Sequence, residues 1–283
     1  MKSFTDHKKQ LAGFEDVLET VQVLEKIAAG KLHALEDQSI KLASYTEVIA
    51  RLMVRLEGFT SASFKTASAR CAKDKPRTLL VVLSGDRGLV GDLWHRLYDH
   101  YFEAALETHD MLVIGAKAQA LWPAADGVTH YMFADRFPTD AEVMALADRL
   151  SNKVQSGTYA AVKFLYPKPQ SLTVYHPVIA DLLPLAVDES VLPTNEPLTG
   201  FPIIEGVVED YKQSLLKKYL LARLHQFLQE TALAEFSART VGLEHAGAKT
   251  ETIIADTMRQ YRRWRRHEDT AKQLERFSAI SSL

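Results

Sequence analysis

Cysteine occurs once in the 283 residues, at Cys71. A single thiol excludes an intramolecular disulfide and fits a reducing compartment. It stands in a polar stretch with no histidine beside it, which argues against a catalytic thiol. Long apolar runs are also lacking, and none approaches the roughly 18–20 residues of a membrane span. The N-terminal stretch MKSFTDHKKQLAGFEDVLE carries acids where a signal peptide needs apolar residues, so the expected location is cytoplasmic. Charge of one sign is not in excess. With 34 Lys and Arg against 36 Asp and Glu, the net charge of −2 excludes a generally basic nucleic-acid binder, although local patches remain open.

Proline is absent from both ends. All ten prolines lie between Pro76 and Pro202. A proline inside a helix costs about 3 kcal/mol, so both ends are free to be continuous helix and the middle holds the turns of a compact domain. The expected organisation is a helix over 1–60, a connector over 61–76, an α/β domain over 77–203 and a second helix over 204–283.

What fills the ends is periodic. A seam stepping by four and three residues runs from Leu11 through Phe14, Leu18 and Val21 to Ile49, Met53 and Leu56. Eleven of its fourteen positions are apolar, the exceptions being Glu25, Ser39 and Thr46. That heptad pattern is the signature of a coiled coil. The C-terminal run opens with a wide apolar stripe, Leu215-Leu216, Tyr219-Leu220, Leu224 and Phe227-Leu228. It then becomes rich in small residues from Ala232 to Ala248, and the stripe resumes at Ile253-Ile254. At roughly 1.5 Å per residue this second helix would be on the order of 110 Å long. Neither end can form a core alone, so the two are expected to pair as an antiparallel coiled coil.

The middle alternates strand and helix. Thr78–Leu83 is a continuous apolar run of the kind buried on both faces of a sheet. It leads into Ser84-Gly85-Asp86-Arg87-Gly88-Leu89-Val90-Gly91-Asp92 and a helix from about Leu93 to Thr108. Further strands are expected at Met111–Ile114, near His130–Phe133, at Ala160–Leu165 and at Leu172–Val178. Helices are expected at Lys117–Leu121 and Thr139–Ser156, and an irregular link at Pro184–Pro202. Such alternation implies βαβ units and a small Rossmann-like domain with a mainly parallel sheet.

No catalytic constellation emerges. Gly85, Gly88 and Gly91 stand where phosphate loops stand. Their spacing is GxxGxxG, however, and no Lys-Ser/Thr pair completes a P-loop. Asp92, His95 and Asp99 share one helix face and are candidate metal ligands, but the pattern fits a solvated face better. Ser84 lacks a nucleophile elbow. The strongest charged feature is Arg259-Gln260-Tyr261-Arg262-Arg263-Trp264-Arg265-Arg266-His267. It suits nucleic acid, an acidic protein loop or plain solvent, and Trp264 among those charges calls for a covering partner.

Three segments carry a family resemblance. Ser84–Leu93 is similar to the S-S/G-D-R-G-L-C-G-G-L segment of the gamma subunit, the central rotor shaft, of F-type ATP synthases. Ile27-Ala28-Ala29-Gly30-Lys31-Leu32 resembles that family's V-A-A-S-K-M/L, and Glu235-x-x-Ala238-Arg239 its E-x-x-A-R-M. Their order and spacing span the whole chain. The chain departs from the family's Y-N-x-x-R-Q-x-x-I-T, reading Tyr261-Arg262-x-x-Arg265-Arg266-x-x-Asp269-Thr270, and so looks like a divergent member.

The resemblance implies a non-catalytic subunit that couples ion flow to ATP synthesis or hydrolysis by rotation, with no cofactor of its own. It implies as partners three alpha and three beta subunits, an epsilon subunit and the membrane c-ring, and a place peripheral to the membrane. It assigns Lys31, Arg239, Arg265, Arg266 and Thr270 to the alpha/beta ring and Asp86 and Arg87 to the foot. Two other readings stand beside it. One is a coiled-coil adaptor using Arg259–Arg266, and the other is a small Rossmann-like nucleotide-binding enzyme.

Overall fold

Val81 and its neighbours make β1 (Thr78–Leu83) a strand with no exposed residue, as the wholly apolar run Leu79–Leu83 requires. The computed structural model describes residues 4–59, 77–105, 110–134, 138–155, 158–171, 174–183 and 207–281. The expected connector over 61–76, Cys71 and the link Pro184–Pro202 lie outside the described residues. In chain order the other elements are α1 (Phe4–Phe59), α2 (Leu93–Glu103), β2 (Asp110–Ile114), α3 (Ala116–Leu121), β3 (Val128–Tyr131), α4 (Asp140–Gln155), β4 (Ala161–Pro169), β5 (Tyr175–Leu183) and α5 (Val208–Ser281). The chain divides into two compact units, residues 31–238 and the pair of segments 1–30 with 239–283.

In the larger unit the sheet order is β3-β2-β1-β4-β5. The first four strands are parallel, and β5 is an antiparallel edge on β4. Side chains alternate across β1 with the two-residue period of a strand. Leu79, Val81 and Leu83 face one core with Phe164, α4's Val143 and Leu146, α1's Ile49 and Met53, and α5's Leu224 and Phe227. Leu80 and Val82 face the other, with Leu93, Trp94 and Leu97 of α2 and Trp122 after α3. Phe227 packs its ring on Phe164 and Tyr166 at centroid distances of 5.0 and 4.9 Å, which seats α5 directly on the sheet.

The third strand is Val128–Tyr131 rather than His130–Phe133, and three further expected boundaries move. The helix after β1 stops at Glu103 rather than Thr108: Ala104 donates to the His100 carbonyl and Ala105 turns to φ 43°. The fourth strand runs on through Pro167 and Pro169. Pairing with β1 ends at Leu165, so the missing proline N–H groups leave no β1 acceptor unmet there. The fifth strand is Tyr175–Leu183 rather than Leu172–Val178, and its Pro177 sits on the sheet edge where a lost donor is tolerated.

The smaller unit is a pair of antiparallel helical segments. His7 of α1 stacks on Trp264 of α5 at 6.4 Å and 24°. Further along, a Cβ built at Gly247 would meet Val21 at 3.8 Å. Chain numbers rise in α1 as they fall in α5. The small residues Ala246–Ala248 permit this approach, and Ala28 and Leu243 are buried.

Along the whole of α1 no heptad-seam position is exposed. Thr46, the polar residue buried there, turns its hydroxyl to the Leu42 carbonyl at 2.8 Å and so meets its hydrogen-bonding need within the helix.

Candidate functional site

The loop after β1 is built as a clamp rather than a cradle. Ser84 Oγ donates to the Ile114 carbonyl at 3.1 Å and accepts from the Ala118 N–H at 2.8 Å. Asp86 Oδ1 accepts from the Ala116 N–H at 2.9 Å, and Lys117 N–H donates to the Gly85 carbonyl at 3.1 Å. Two backbone donors in the first turn of α3 are thereby taken by side chains, which a phosphate would otherwise need. Gly115 has φ 96°, and a Cβ there would lie 2.2 Å from the Ser84 carbonyl oxygen. Beyond the clamp, Arg87 and Leu89 point to solvent, Leu89 with φ 63° and 63% of its surface exposed.

The third of the resembling segments reaches the same place from α5. Glu235 is buried, and its carboxylate lies where a Cβ on Gly85 would be, 1.9 Å from Oε2. Both residues stand in resembling segments, yet no local pattern in the sequence brings them together. Between β1, β2, α1, α4 and α5 a cleft of about 460 Å³ opens within the larger unit, bordered by Ser84, Gly85 and Asp86. His225 lines it 3.6 Å from Asp140. Burial pushes its imidazole below the ordinary value of 6.5, against the opposing pull of Asp140.

Asp92, His95 and Asp99 do not converge. Asp92 pairs with Arg96 at 2.8 Å, His95 and Asp99 are exposed, and among the described residues no group of three acidic, histidine or cysteine side chains could hold a metal. No described helix is long and apolar enough to cross a membrane.

The arginine cluster lies on α5 in the smaller unit. Arg259 pairs with Asp256 at 3.2 Å and Arg265 with Asp269 at 4.0 Å, both on the surface. Arg266 Nε donates to the Arg262 carbonyl at 3.4 Å, and the Thr270 hydroxyl to the Arg266 carbonyl at 2.8 Å. Trp264 is half-buried against His7. The cover that the sequence calls for is thus partly supplied from within the chain. Lys31 is exposed, whereas Arg239 is buried.

Comparison with known proteins covers nearly the full length. The profile of the ATP synthase family matches residues 3–280. The ATP synthase gamma chain of a Synechocystis species is 22% identical, over 100% of this chain and 99% of its own. That of a Cyanothece species is 25% identical over 100% and 99%.

Among solved structures, the central stalk/c-ring structure of Tetrahymena thermophila mitochondrial ATP synthase aligns with a TM-score of 0.60 at 19% identity. It covers 80% of this chain and 99% of that one. A Euglena gracilis mitochondrial ATP synthase rotor aligns at 0.61 and 13% identity, over 93% and 98%. These matches support neither the nucleotide-binding enzyme nor the nucleic-acid adaptor. From residue 3 to residue 280, therefore, the chain belongs to the ATP synthase family, as one of its gamma chains.

Proposed function

We propose that the chain is the rotor shaft of an F-type ATP synthase, turning inside a ring of three alpha and three beta subunits. One observation carries the reading: α5 is a single helix of 74 residues that is core to the sheet and also half of the helix pair. A shaft needs stiffness and asymmetry, and it needs no reactive groups. The nucleotide chemistry belongs to the beta subunits. Rotation presents different faces of the helix pair to each of them and so biases which conformation it populates. Ions enter through the membrane c-ring, and an epsilon subunit joins the shaft at its foot. The chain itself is peripheral to the membrane, held there on the cytoplasmic side through the complex.

The contacts follow from which side chains reach the surface. Lys31, Arg265, Arg266 and Thr270 meet the alpha/beta ring. Arg239, being buried, acts on that contact indirectly by holding its own helix in place. At the foot, Arg87 reaches the neighbouring subunit while Asp86, already bonded to Ala116, shapes the loop that presents it. The 1–60, 61–76, 77–203 and 204–283 division serves as shaft, connector, foot and shaft.

Co-expression with the neighbouring alpha and beta subunits tests the proposal. The expected product is a particle with one copy of this chain per three alpha–beta pairs and ATP hydrolysis that depends on it. Alpha and beta subunits that assemble and hydrolyse ATP while this chain stays free would refute it.

A further inference from the structure

Leu89 stands in the loop between β1 and α2 with φ 63° and 63% of its surface exposed. A bulky residue in the left-handed region is strained, and glycine is what usually fills such a position. Gly91, close by, takes φ 58° without that penalty. The chain nevertheless places a large apolar side chain at 89.

The strain persists because the loop is fixed on both sides. Before it, Ser84 and Asp86 hold the first turn of α3. After it, Val90 is buried, and its carbonyl accepts from the Leu93 N–H at 3.3 Å. Leu89 itself belongs to neither core of the larger unit. Nothing described within the fold therefore offsets its strain or its exposed apolar surface. Strained residues of this kind concentrate where a side chain is presented to a binding partner.

The neighbouring charges describe that partner. Arg87 is exposed, and the Lys117 ammonium comes within 3.9 Å of a Cβ built on Gly88. Among the described residues neither cation has a carboxylate partner. The two acids of the loop are already engaged, Asp86 with the Ala116 N–H and Asp92 with Arg96 at 2.8 Å. A leucine between two uncommitted cations complements an apolar protein pocket with carboxylates on its rim. A phosphate chain would meet the charges but give the leucine no place.

We propose that Leu89 is the apolar anchor of the foot contact, inserted into such a pocket on a neighbouring subunit, with Arg87 and Lys117 meeting its rim. This rests on the rotor reading. It adds the residue that carries the contact and the chemistry of the surface it meets.

Hydroxyl-radical footprinting of the full chain, free and inside the co-expressed particle, tests the burial. Oxidation at Leu89 is expected to fall at least about fivefold on assembly. Leu89→Asn separates anchor from fold, because asparagine tolerates the left-handed region. The free variant should melt between the parent's midpoint and about 3 °C above it. Co-expressed with an equal amount of parent chain, it should supply about a tenth or less of the chain in the particle, since burying a leucine is worth about 10- to 100-fold in affinity. Leu89→Met keeps the apolar body and should hold about a third or more. A parent chain that stays out of the particle overturns the rotor reading and this inference together. With the parent assembled, unchanged oxidation at Leu89 or an equal share for Leu89→Asn overturns the inference alone. So does a Leu89→Asn chain that melts well below the parent, because Leu89 would then serve the fold.

Discussion

Gly85 and Glu235 lie on two segments far apart in the sequence, and a Cβ at 85 would fall 1.9 Å from Glu235 Oε2 and 2.5 Å from its Cδ. The glycine is there because the buried carboxylate occupies the space. Gly85→Ala forces that side chain to move within a packed site, at a cost of about 1–3 kcal/mol. Shortening the intruder should relieve it. A cycle of Gly85→Ala, Glu235→Ala and the double variant, followed by urea unfolding, is expected to give a favourable coupling of about 1 kcal/mol or more. Additive losses would mean that the two residues do not compete for space.

Gly115 should behave differently. Its φ is 96°, and its added Cβ would meet the Ser84 main-chain oxygen at 2.2 Å. Main chain cannot swing aside as a carboxylate can, and the positive φ adds strain of about 1–3 kcal/mol. Gly115→Ala is expected to cost more than Gly85→Ala in the same unfolding measurement. No change at Glu235 should rescue it.

How much of this was readable in advance depended on whether a feature is local. The seam from Leu11 to Leu56 is a repeat within one helix, and the structure exposes none of its positions. The span Thr78–Leu83 was legible to the residue because Leu79–Leu83 is wholly apolar and must be buried on both faces. The end of β4 was not. Pro167 and Pro169 signal a break, yet the strand continues because its neighbour β1 has already ended, a fact about pairing that no local pattern holds. The clamp of Ser84 and Asp86 on Ala118 and Ala116 was invisible for the same reason. The spacing of Gly85, Gly88 and Gly91 argued against a phosphate loop, but the hydrogen bonds that hold the turn come from the first turn of α3, some thirty residues on.

His225 gives the larger unit a pH dependence whose sign is fixed. Burial lowers its folded pKa below 6.5, so the unfolded chain takes up a proton first as the pH falls. The stability contributed by the neutral ring is complete above pH 6.5 and declines as the pH drops below it. His225→Gln should flatten this part of the stability profile between pH 7 and pH 5. Thermal midpoints of parent and variant that stay parallel through the interval would contradict the assignment.

The start of α4 is a capping box. Thr139 Oγ accepts from the Glu142 N–H at 3.3 Å, and Glu142 Oε2 accepts from the Thr139 N–H at 2.8 Å. The N–H groups of Ala134 and Thr139 hold the Glu142 carboxyl below 4.5. Thr139→Ala is expected to cost about 1 kcal/mol, the usual loss for such a cap. A depressed carboxyl stabilises above its unfolded pKa and ceases to as the pH falls through the folded one. The melting difference between parent and Glu142→Gln should therefore be present at pH 7 and shrink toward pH 3.

Arg265 and Arg266 separate a contact made by partners from one made within the fold. Both are exposed, and the pair of Arg265 with Asp269 is long, at 4.0 Å, and solvated. Exposed pairs of that kind contribute about 0–1 kcal/mol. The double substitution Arg265→Glu with Arg266→Glu should leave the melting temperature of the isolated chain within about 2 °C of the parent. If the arginines meet the alpha/beta ring as proposed, the same change should lower ATP hydrolysis by the co-expressed particle at least about tenfold, because reversed charges repel the acidic groups an arginine pairs with. Unchanged hydrolysis by a fully assembled particle would place the contact elsewhere on the shaft. A collapse of the isolated chain would show that the arginines serve the helix pair itself.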